Sequence, residues 1–196
     1  RRVLFRSGSV KSTGAGGHCV GGLIGWALWS HVAYCSSSVY AAGVYNNHCV
    51  GSLIGMTQWN GEITTPQKYA KVEFCYATGN VDDANGSYGC NYAGGLIGST
   101  GSYDSVVNCY ATGDVKGRAN VGGLIGKHSG VVVNSYSTGK VTAQYPTYMG
   151  GLLFNATYNN FVPKNSGCYW NTQTSGQTTS YGGTGLTTAQ MKDQAI

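Results

Sequence analysis

The sequence predicts an all-β solenoid, which is a coil of short parallel strands, and three observations support this fold class. A phrase close to Gly-Gly-Leu-Ile-Gly occurs five times along the 196 residues. A second phrase, close to Cys-Tyr-Ala-Thr-Gly, alternates with the first. The composition includes 32 glycines and only 10% charged residues, which suits many tight corners around a narrow interior. We therefore expect about five to six stacked coils, because a repeat of this length is one structural unit stacked on its neighbours.

The first phrase sets the period of the coil. Its copies begin at Gly21, Gly51, Gly94, Gly122 and Gly150. Glycine disfavours a helix by roughly 0.5–1 kcal/mol per residue, so each copy is expected to be strand-like. The residue before the glycine pair and the leucine after it are both apolar. We therefore predict that the pair bends the chain at a corner, so that both apolar side chains reach the interior.

Alternation along the second phrase separates an inner face from an outer face. In the copy around residue 110, the predicted inner residues are Val107, Cys109, Ala111 and Val115, and the predicted outer residues are Tyr110, Thr112 and Asp114. Residues 131–133, all valine, are expected to continue the inner face in the next coil. Coils that stack about 4.8 Å apart turn each repeated position into a column of side chains.

One such column is expected to consist of outward-facing tyrosines. Its predicted members are Tyr40, Tyr76, Tyr110, Tyr136 and Tyr169. Because aromatic faces stack on sugar rings, this column is a candidate ligand face for glycans. The alternative is that the rings stack on one another and stiffen the coil, and the sequence favours this second interpretation.

Two segments interrupt the regular pattern between the second and third copies of the first phrase. Residues 56–70 and 82–91 contain turn dipeptides such as Asn-Gly and are expected to leave the coil as loops on its flank. Asn85 and Asn155 fit the sequon for N-glycosylation and lie in or near predicted loops.

The two ends of the chain differ from the repeats. Residues 1–7 carry three of the charges behind the net +5, and their sequence resembles the translation of a sequencing adapter. We expect them to be an artefact or a disordered arm, and we assign the solenoid to residues 8–170. Residues 171–196 are expected to form a capping segment, in which Thr187 and Gln190 fit a capping box at the start of a short helix or turn.

The seven cysteines favour an oxidising, extracellular location. Cys19 and Cys49 precede the glycine pair at the same distance, one coil apart, and the position is expected to face outward. A disulfide between them is therefore predicted. Cys75 and Cys109 are also equivalent but face inward, so a bridge and a pair of buried thiols both remain open.

Cys35 and Cys90 form a third candidate pair, and the odd count leaves one thiol free or linked between molecules. The dipeptides His18-Cys19 and His48-Cys49 also repeat, which raises the question of a metal site. Neighbouring residues on a strand point to opposite faces, so these four side chains are not expected to converge. We predict no metal ligands and no cofactor.

No motif of a metalloprotease, a serine hydrolase or a phosphate-binding loop occurs in the chain. Asp114, Lys116 and Arg118 come nearest to a group of charges, and we interpret them as a solvated edge. No basic stripe indicates a nucleic-acid partner, and no apolar run approaches the roughly 18 residues of a membrane span. The sequence therefore predicts no catalytic residues and no membrane span.

The repeated phrases, together with the ending that runs from Tyr169 to Met191, resemble GLUG-motif repeat proteins. The resemblance covers about Gly8 to Met191 and departs from the family pattern around Trp26 and Trp29. It implies a β-solenoid part of a large bacterial surface protein, such as an adhesin or the stalk of an immunoglobulin A peptidase. It does not imply catalysis.

The function expected from the sequence is that of an extracellular structural or adhesive module of a surface protein. Its expected partners are neighbouring domains or further copies of itself, because the open strand edges of an uncapped end can pair with another chain. End-to-end assembly into a filament is one form of this expectation. The alternatives are a carbohydrate-binding module that uses the tyrosine column, and the non-catalytic stalk of a secreted peptidase.

Overall fold

The structure is a computed structural model that describes residues 3–4, 8–12, 19–43, 49–57, 68–83, 90–154 and 164–193. Its strands form five parallel sheets, which we call A to E in the order in which the chain visits them. Sheet A contains Val3–Leu4, Cys35–Ser37, Tyr76–Ala77, Tyr110–Ala111, Tyr136–Ser137, Tyr169–Asn171 and Thr184–Leu186. Sheet B contains Ser9–Lys11, Tyr40–Gly43, Val81–Asp83, Val115–Gly117 and Val141–Ala143.

The remaining three sheets complete each coil. Sheet C contains Cys19–Gly21, Cys49–Gly51, Tyr92–Gly94, Val121–Gly122 and Met149–Gly150. Sheet D contains Ile24–Trp26, Ile54–Met56, Ile97–Ser99, Ile125–Lys127 and Leu153–Phe154. Sheet E contains His31–Ala33, Lys71–Glu73, Ser105–Val107, Val131–Val133 and Lys164–Ser166. The chain visits sheets A to E in the same order in each coil, which confirms the prediction of a β-solenoid with about five coils.

The Gly-Gly-Leu-Ile phrase forms the corner between sheets C and D, as predicted. Ala93 before the glycine pair and Leu96 after it are both fully buried. They belong to different apolar clusters, because Ala93 packs with the valines of sheets B and C. Leu96 packs with residues of sheets A, D and E. Each corner therefore contributes one apolar side chain to each of two separate cores that run along the solenoid.

The first glycine of the phrase is required by a close approach of the backbone. A Cβ atom built on Gly94 would lie 2.0 Å from the carbonyl oxygen of Ile97. The equivalent distance in the other four copies is between 1.9 and 2.1 Å. No real Cβ atom makes such a contact, so the turn of the corner closes only around glycine. This explains why all five copies begin with that residue.

Alternation on sheets A and B follows the prediction, but alternation on sheet E does not. Cys109, Ala111 and Val115 are buried, whereas Val107 is only half-buried and Val106 lies in the core. In the next coil Val132 is buried, and Val131 and Val133 flank it with partial exposure. The predicted inward orientation of residues 107, 131 and 133 is therefore wrong.

The cause is a left-handed residue between sheets E and A, which breaks the two-residue period. Asn108 has a φ of 53° and Asn134 a φ of 47°. The same position in the other coils is Tyr34, Phe74 and Gly167, all with positive φ. Because this residue reverses the side-chain alternation, the strand before it and the strand after it keep different parities.

The described part of the chain contains two short α-helices, Thr172–Ser175 and Thr188–Asp193, and a 3-10 turn at Pro146–Tyr148. The predicted capping box is present: the Thr187 N–H donates to Gln190 Oε1 at 2.9 Å, and the Gln190 N–H donates to Thr187 Oγ1 at 3.2 Å.

The segment between these helices covers the last coil. The Gly151 N–H donates to the Thr179 carbonyl oxygen at 3.0 Å. The Leu152 N–H donates to Ser180 Oγ at 3.1 Å. The Gln177 side chain donates from Nε2 to the Val141 carbonyl oxygen at 2.9 Å. Backbone groups at the edges of sheets B, C and D are thus already paired at this end of the solenoid.

The predictions for the first seven residues and for the two flank loops fall only in part on described residues. Val3–Leu4 forms an edge strand of sheet A, where Val3 pairs with Cys35, so this segment joins the coil through backbone pairing. Asp82 and Asp83 belong to a strand of sheet B. The predicted loops otherwise fall mainly on residues 58–67 and 84–89, which lie outside the described residues.

Candidate functional site

Four of the five predicted tyrosines form a column on sheet A. Tyr76, Tyr110, Tyr136 and Tyr169 are paired in register across consecutive coils. The rings of Tyr76 and Tyr110 lie 4.9 Å apart with an interplanar angle of 4°. The rings of Tyr110 and Tyr136 lie 5.0 Å apart at 7°. Partial burial raises the pKa of Tyr110. Because the rings stack face to face, the faces that a sugar would need are occupied by neighbouring rings.

Tyr40 does not belong to this column, which corrects the prediction. It lies on sheet B, where it pairs with Ser9, and its hydroxyl donates to Asp82 Oδ2 at 3.1 Å. The position in line with Tyr76 is Ser36. The sequence around Tyr40 is similar to that around the other four tyrosines. The left-handed residue Tyr34, however, sets the register of this coil so that Ser36 takes the position in the column.

A second group of aromatic residues was not predicted, and it is more exposed than the tyrosine column. Trp29, Tyr69 and Tyr103 each stand two residues before a strand of sheet E, and these strands are in register. They are 47%, 45% and 44% exposed. Lys68 Nζ lies 4.5 Å from the ring centroid of Trp29. Their constant distance of two residues from the start of a sheet E strand is the sequence signal that would have identified them. We call these three residues the exposed aromatic column.

Charged groups lie on the outer face of sheet E beside the exposed aromatic column. Glu73 Oε1 lies 2.6 Å from His31 Nε2, and Glu73 Oε2 lies 2.8 Å from Lys71 Nζ. Hydrogen bonds from Lys71 and His31 lower the pKa of Glu73. At the other end of these strands, the rings of Tyr34 and Phe74 stack with their centroids 5.0 Å apart. Aromatic rings therefore flank a small polar surface on both sides.

A buried polar cluster occupies the corner between sheets D and E. Asp104 accepts hydrogen bonds from Thr57 Oγ1 at 2.5 Å, and from the N–H groups of Ala70 and Gly101, both at 2.7 Å. Burial raises the pKa of this carboxyl. His128 Nδ1 lies 3.1 Å from Thr100 Oγ1. Burial lowers the pKa of His128 to about 4, so the imidazole is neutral in the fold.

All seven cysteines are free thiols in this structure. One column of cysteines lies at the start of the sheet A strands, on the inner face. It consists of Cys35, Cys75 and Cys109 and continues through Ser135 and Cys168. The Cys35 N–H donates to Cys75 Sγ at 3.4 Å. The thiols of Cys75 and Cys109 share a hydrogen bond, which lowers the pKa of Cys75 and raises the pKa of Cys109. Of the two outcomes left open for Cys75 and Cys109, the structure has the buried thiol pair.

The candidate pair of Cys35 and Cys90 is not brought together, which corrects that prediction. Cys35 packs against the core of sheets A, D and E, whereas Cys90 lies in the core of sheets B and C. Complete burial raises the pKa of Cys90 to about 12.

Cys19 and Cys49 pair in register on sheet C, as predicted, but they are not bridged. The expected outward orientation is also incorrect for Cys49, which is only 1% exposed. Cys19 is half-buried, and its Sγ lies 3.6 Å from Sδ of Met56 on sheet D. Met56 was not part of any predicted site, because a single methionine is not a recognisable metal motif in a sequence.

The other residues singled out in the sequence form no common site. Asp114 Oδ1 accepts from the Lys140 N–H at 2.8 Å, Lys116 Nζ lies 3.6 Å from Asp82 Oδ1, and the guanidinium of Arg118 lies over the Tyr145 ring. The residues outside the described part are His18, His48, Asn85 and Asn155.

Among the described residues, no three side chains of His, Cys, Asp or Glu converge on a point that would hold a metal ion. In that same part of the chain, no helix has the length and hydropathy that a bilayer-spanning segment needs.

The stacked coils and their in-register columns define this chain as a parallel β-solenoid built from sequence repeats. The family model of the GLUG motif matches residues 16–41, 89–116 and 117–142. The chain therefore contains three GLUG-motif repeats, in agreement with the resemblance seen in its sequence. No curated protein and no solved structure matches the chain.

Proposed function

We propose that the chain is a rigid, non-catalytic spacer in a surface-exposed, extracellular protein. The observation that carries this proposal is the continuity of the stack, because each coil pairs with the next on all five sheets. Leu53, Leu96, Leu124 and Leu152 form one unbroken buried line through the core. A solenoid of this kind transmits force along its axis through many parallel hydrogen bonds, which suits a stalk or an adhesive module.

The mechanical part of the proposal is tested by pulling the chain at its two ends between reference domains in a force microscope. We expect resistance to extension until coils detach in discrete steps. Extension at the low force of an unfolded linker would contradict a spacer role.

The extracellular part is tested on cells that express the protein naturally. Antibodies against the chain should label intact cells, and a protease added outside should remove the label. Labelling that appears only after lysis would refute a surface location. The Gly-rich composition and the GLUG repeats support this location.

End-to-end assembly is less well supported than a monomeric spacer. Head-to-tail stacking needs a free edge at both ends, and residues 177–186 already pair with the edges of the last coil. We therefore propose that the chain remains a monomer unless this segment is displaced. Light scattering should give the monomer mass, and a concentration-dependent series of higher masses would contradict the proposal.

A second candidate function, carbohydrate binding, is favoured by the exposed aromatic column rather than by the tyrosine column. Trp29, Tyr69 and Tyr103 present partly exposed rings next to the polar groups of sheet E. Aromatic faces combined with a few hydrogen-bonding groups are typical of sugar sites.

A glycan array separates this candidate from the spacer. Replacing Trp29→Ala and Tyr103→Ala should abolish any binding, whereas Tyr110→Phe should leave it unchanged, because the Tyr110 ring remains stacked in its column. Binding that survives the first two changes, or no binding by the unchanged protein, would eliminate this candidate.

A further inference from the structure

Three sulfur-containing side chains lie together where sheets C and D adjoin, between the first and second coils. Cys19 and Cys49 are in-register neighbours on sheet C. Met56 comes from sheet D, and its Sδ lies 3.6 Å from Cys19 Sγ. We propose that Cys19, Cys49 and Met56 form a binding site for a soft monovalent metal ion, Cu(I), because thiolate and thioether ligands together select this ion.

The geometry favours a metal ion over a disulfide at this pair. In-register residues of parallel strands have parallel Cα–Cβ bonds, so their Cβ atoms are separated by the strand spacing of about 4.8 Å. A disulfide requires a Cβ separation of about 3.5–4.5 Å, so bridging Cys19 and Cys49 would pull the two coils together locally. A metal–thiolate bond is about 2.3 Å long, as measured for zinc, so one ion spans two sulfurs up to about 4.6 Å apart. The coil spacing exceeds this span by only about 0.2 Å, so a small rotation of the two side chains brings both sulfurs within reach of one ion.

The contacts and charge of the site fit the same ion. The Cys19 sulfur has hydrogen bonds with the Cys49 thiol and with the Trp26 side chain, which places the two cysteine sulfurs next to each other. Binding of one Cu(I) releases the two thiol protons to solvent and leaves a net charge of −1 on the site, with no change of oxidation state. The ammonium of Lys127 acts on Cys49 with an opposite charge, so it offsets this negative charge.

Burial of the cluster favours a ligand that needs no water. Cys49 and Met56 are 1% and 4% exposed, whereas Cys19 is half-buried and provides the route of entry. Met56 distinguishes the site from the histidine–cysteine arrangement that alternation along the strand excludes, since the third ligand comes from the neighbouring sheet. Zinc is disfavoured, because it takes nitrogen, thiolate and carboxylate ligands and usually four of them.

The test is a competition for Cu(I) under nitrogen with the full, reduced chain. Cu(I) is supplied as its bicinchoninate complex, and transfer to the protein is measured by loss of the absorbance of that complex. We expect the first equivalent to bind at the proposed site. Met56→Leu, which preserves volume, should weaken that equivalent by more than about tenfold, since even groups that only support a ligand contribute that much. Cys49→Ser should abolish it.

The matched control is Cys75→Ser, which removes the central thiol of the other cysteine column. Serine occupies the equivalent position at Ser135, so this variant is expected to fold and to bind the first equivalent unchanged. Loss of the first equivalent in Cys75→Ser but not in Cys49→Ser would overturn the assignment. So would equal binding by Met56→Leu and the unchanged protein, or the absence of any transfer. Circular dichroism of each variant confirms that folding is intact. Peptide mass spectrometry of protein purified without oxidant shows whether Cys19 and Cys49 are linked. A disulfide between them would overturn the proposal of a metal site.

Discussion

Replacing Gly94 by alanine tests whether the corner between sheets C and D is as tight as the structure shows. The added methyl group would lie 2.0 Å from the Ile97 carbonyl oxygen and 2.6 Å from the Gly126 amide nitrogen. Both neighbours are backbone atoms, so the strain can be relieved only if the corner moves. The corner is held by the N–H groups of Leu96 and Ile97, which donate to the Leu124 carbonyl oxygen at 2.9 and 3.2 Å.

Moving the corner breaks these two hydrogen bonds in a dry interior. Each buried donor left without a partner costs about 1–3 kcal/mol. With two such donors, we expect Gly94→Ala to lower the free energy of unfolding by about 2–6 kcal/mol, which is a large part of the roughly 5–15 kcal/mol that stabilises an ordinary domain. Unfolding in guanidinium chloride, followed by tryptophan fluorescence, measures the change.

Gly176→Ala is the matched control. Gly176 has a φ of 69°, and no atom lies within 4 Å of a Cβ built on it. The only penalty there is that of a left-handed alanine, about 1–2 kcal/mol. If Gly94→Ala costs no more than Gly176→Ala, the close approach at the corner is absent and the reasoning is refuted.

Three further predictions concern the buried histidine, the left-handed corner and the tyrosine column. Because His128 has a folded pKa of about 4 against roughly 6.5 when unfolded, its stabilising effect is complete above about pH 6.5 and declines as the pH falls towards 4, by up to about 3 kcal/mol. Urea midpoints against pH should show this loss in the unchanged protein and a smaller one in His128→Thr, which copies the residue at Thr100. Asn108→Val should cost at least about 1–2 kcal/mol, because a β-branched residue tolerates a φ of 53° poorly, while Asn108→Gly should be close to neutral; equal thermal midpoints for the two variants would count against the left-handed corner. Tyr110→Ala removes two ring stacks, worth about 0.5–1.5 kcal/mol each beyond buried area, so it should destabilise more than Tyr40→Phe, which loses a single hydrogen bond to Asp82; calorimetry that ranks them in the opposite order would contradict the column.

Much of the fold was predictable because it follows from local geometry that repeats. The glycine pair, the apolar residues around it and the alternation after Cys109 each need only a few neighbouring residues, and every copy repeats the same signal. The capping box at Thr187 is local in the same sense. These are the features that the structure confirms.

The errors arise where register, rather than local pattern, decides the outcome. Tyr40 lies in a phrase that looks like the tyrosine phrase, yet pairing across the coils places Ser36 in line with Tyr76. Val107 appears to continue an alternation that the left-handed residue Asn108 in fact interrupts. A positive φ at asparagine or an aromatic residue is not visible in the sequence.

The candidate sites were less predictable than the fold, because they join residues from different sheets. Met56 reaches Cys19 only once sheets C and D are placed side by side, and a thioether is absent from the usual metal motifs. Trp29 and Tyr69 are separated by 40 positions that include a long insertion, so their equivalence emerges only from the pairing of sheet E. The Cα spacing of stacked coils suits a disulfide, but the parallel Cα–Cβ bonds of in-register cysteines do not point towards each other.

The central claim is that equivalent residues of successive coils stack in register, and methyl contacts in solution test it most directly. Val72, Val106 and Val132 follow one another on sheet E at one position per coil. Nuclear Overhauser spectra should show contacts between the methyl groups of Val72 and Val106, and between those of Val106 and Val132. No contact is expected between Val72 and Val132, which are two coil spacings or about 9.6 Å apart. A direct contact between those two, or none between Val106 and either neighbour, would contradict the stacked solenoid.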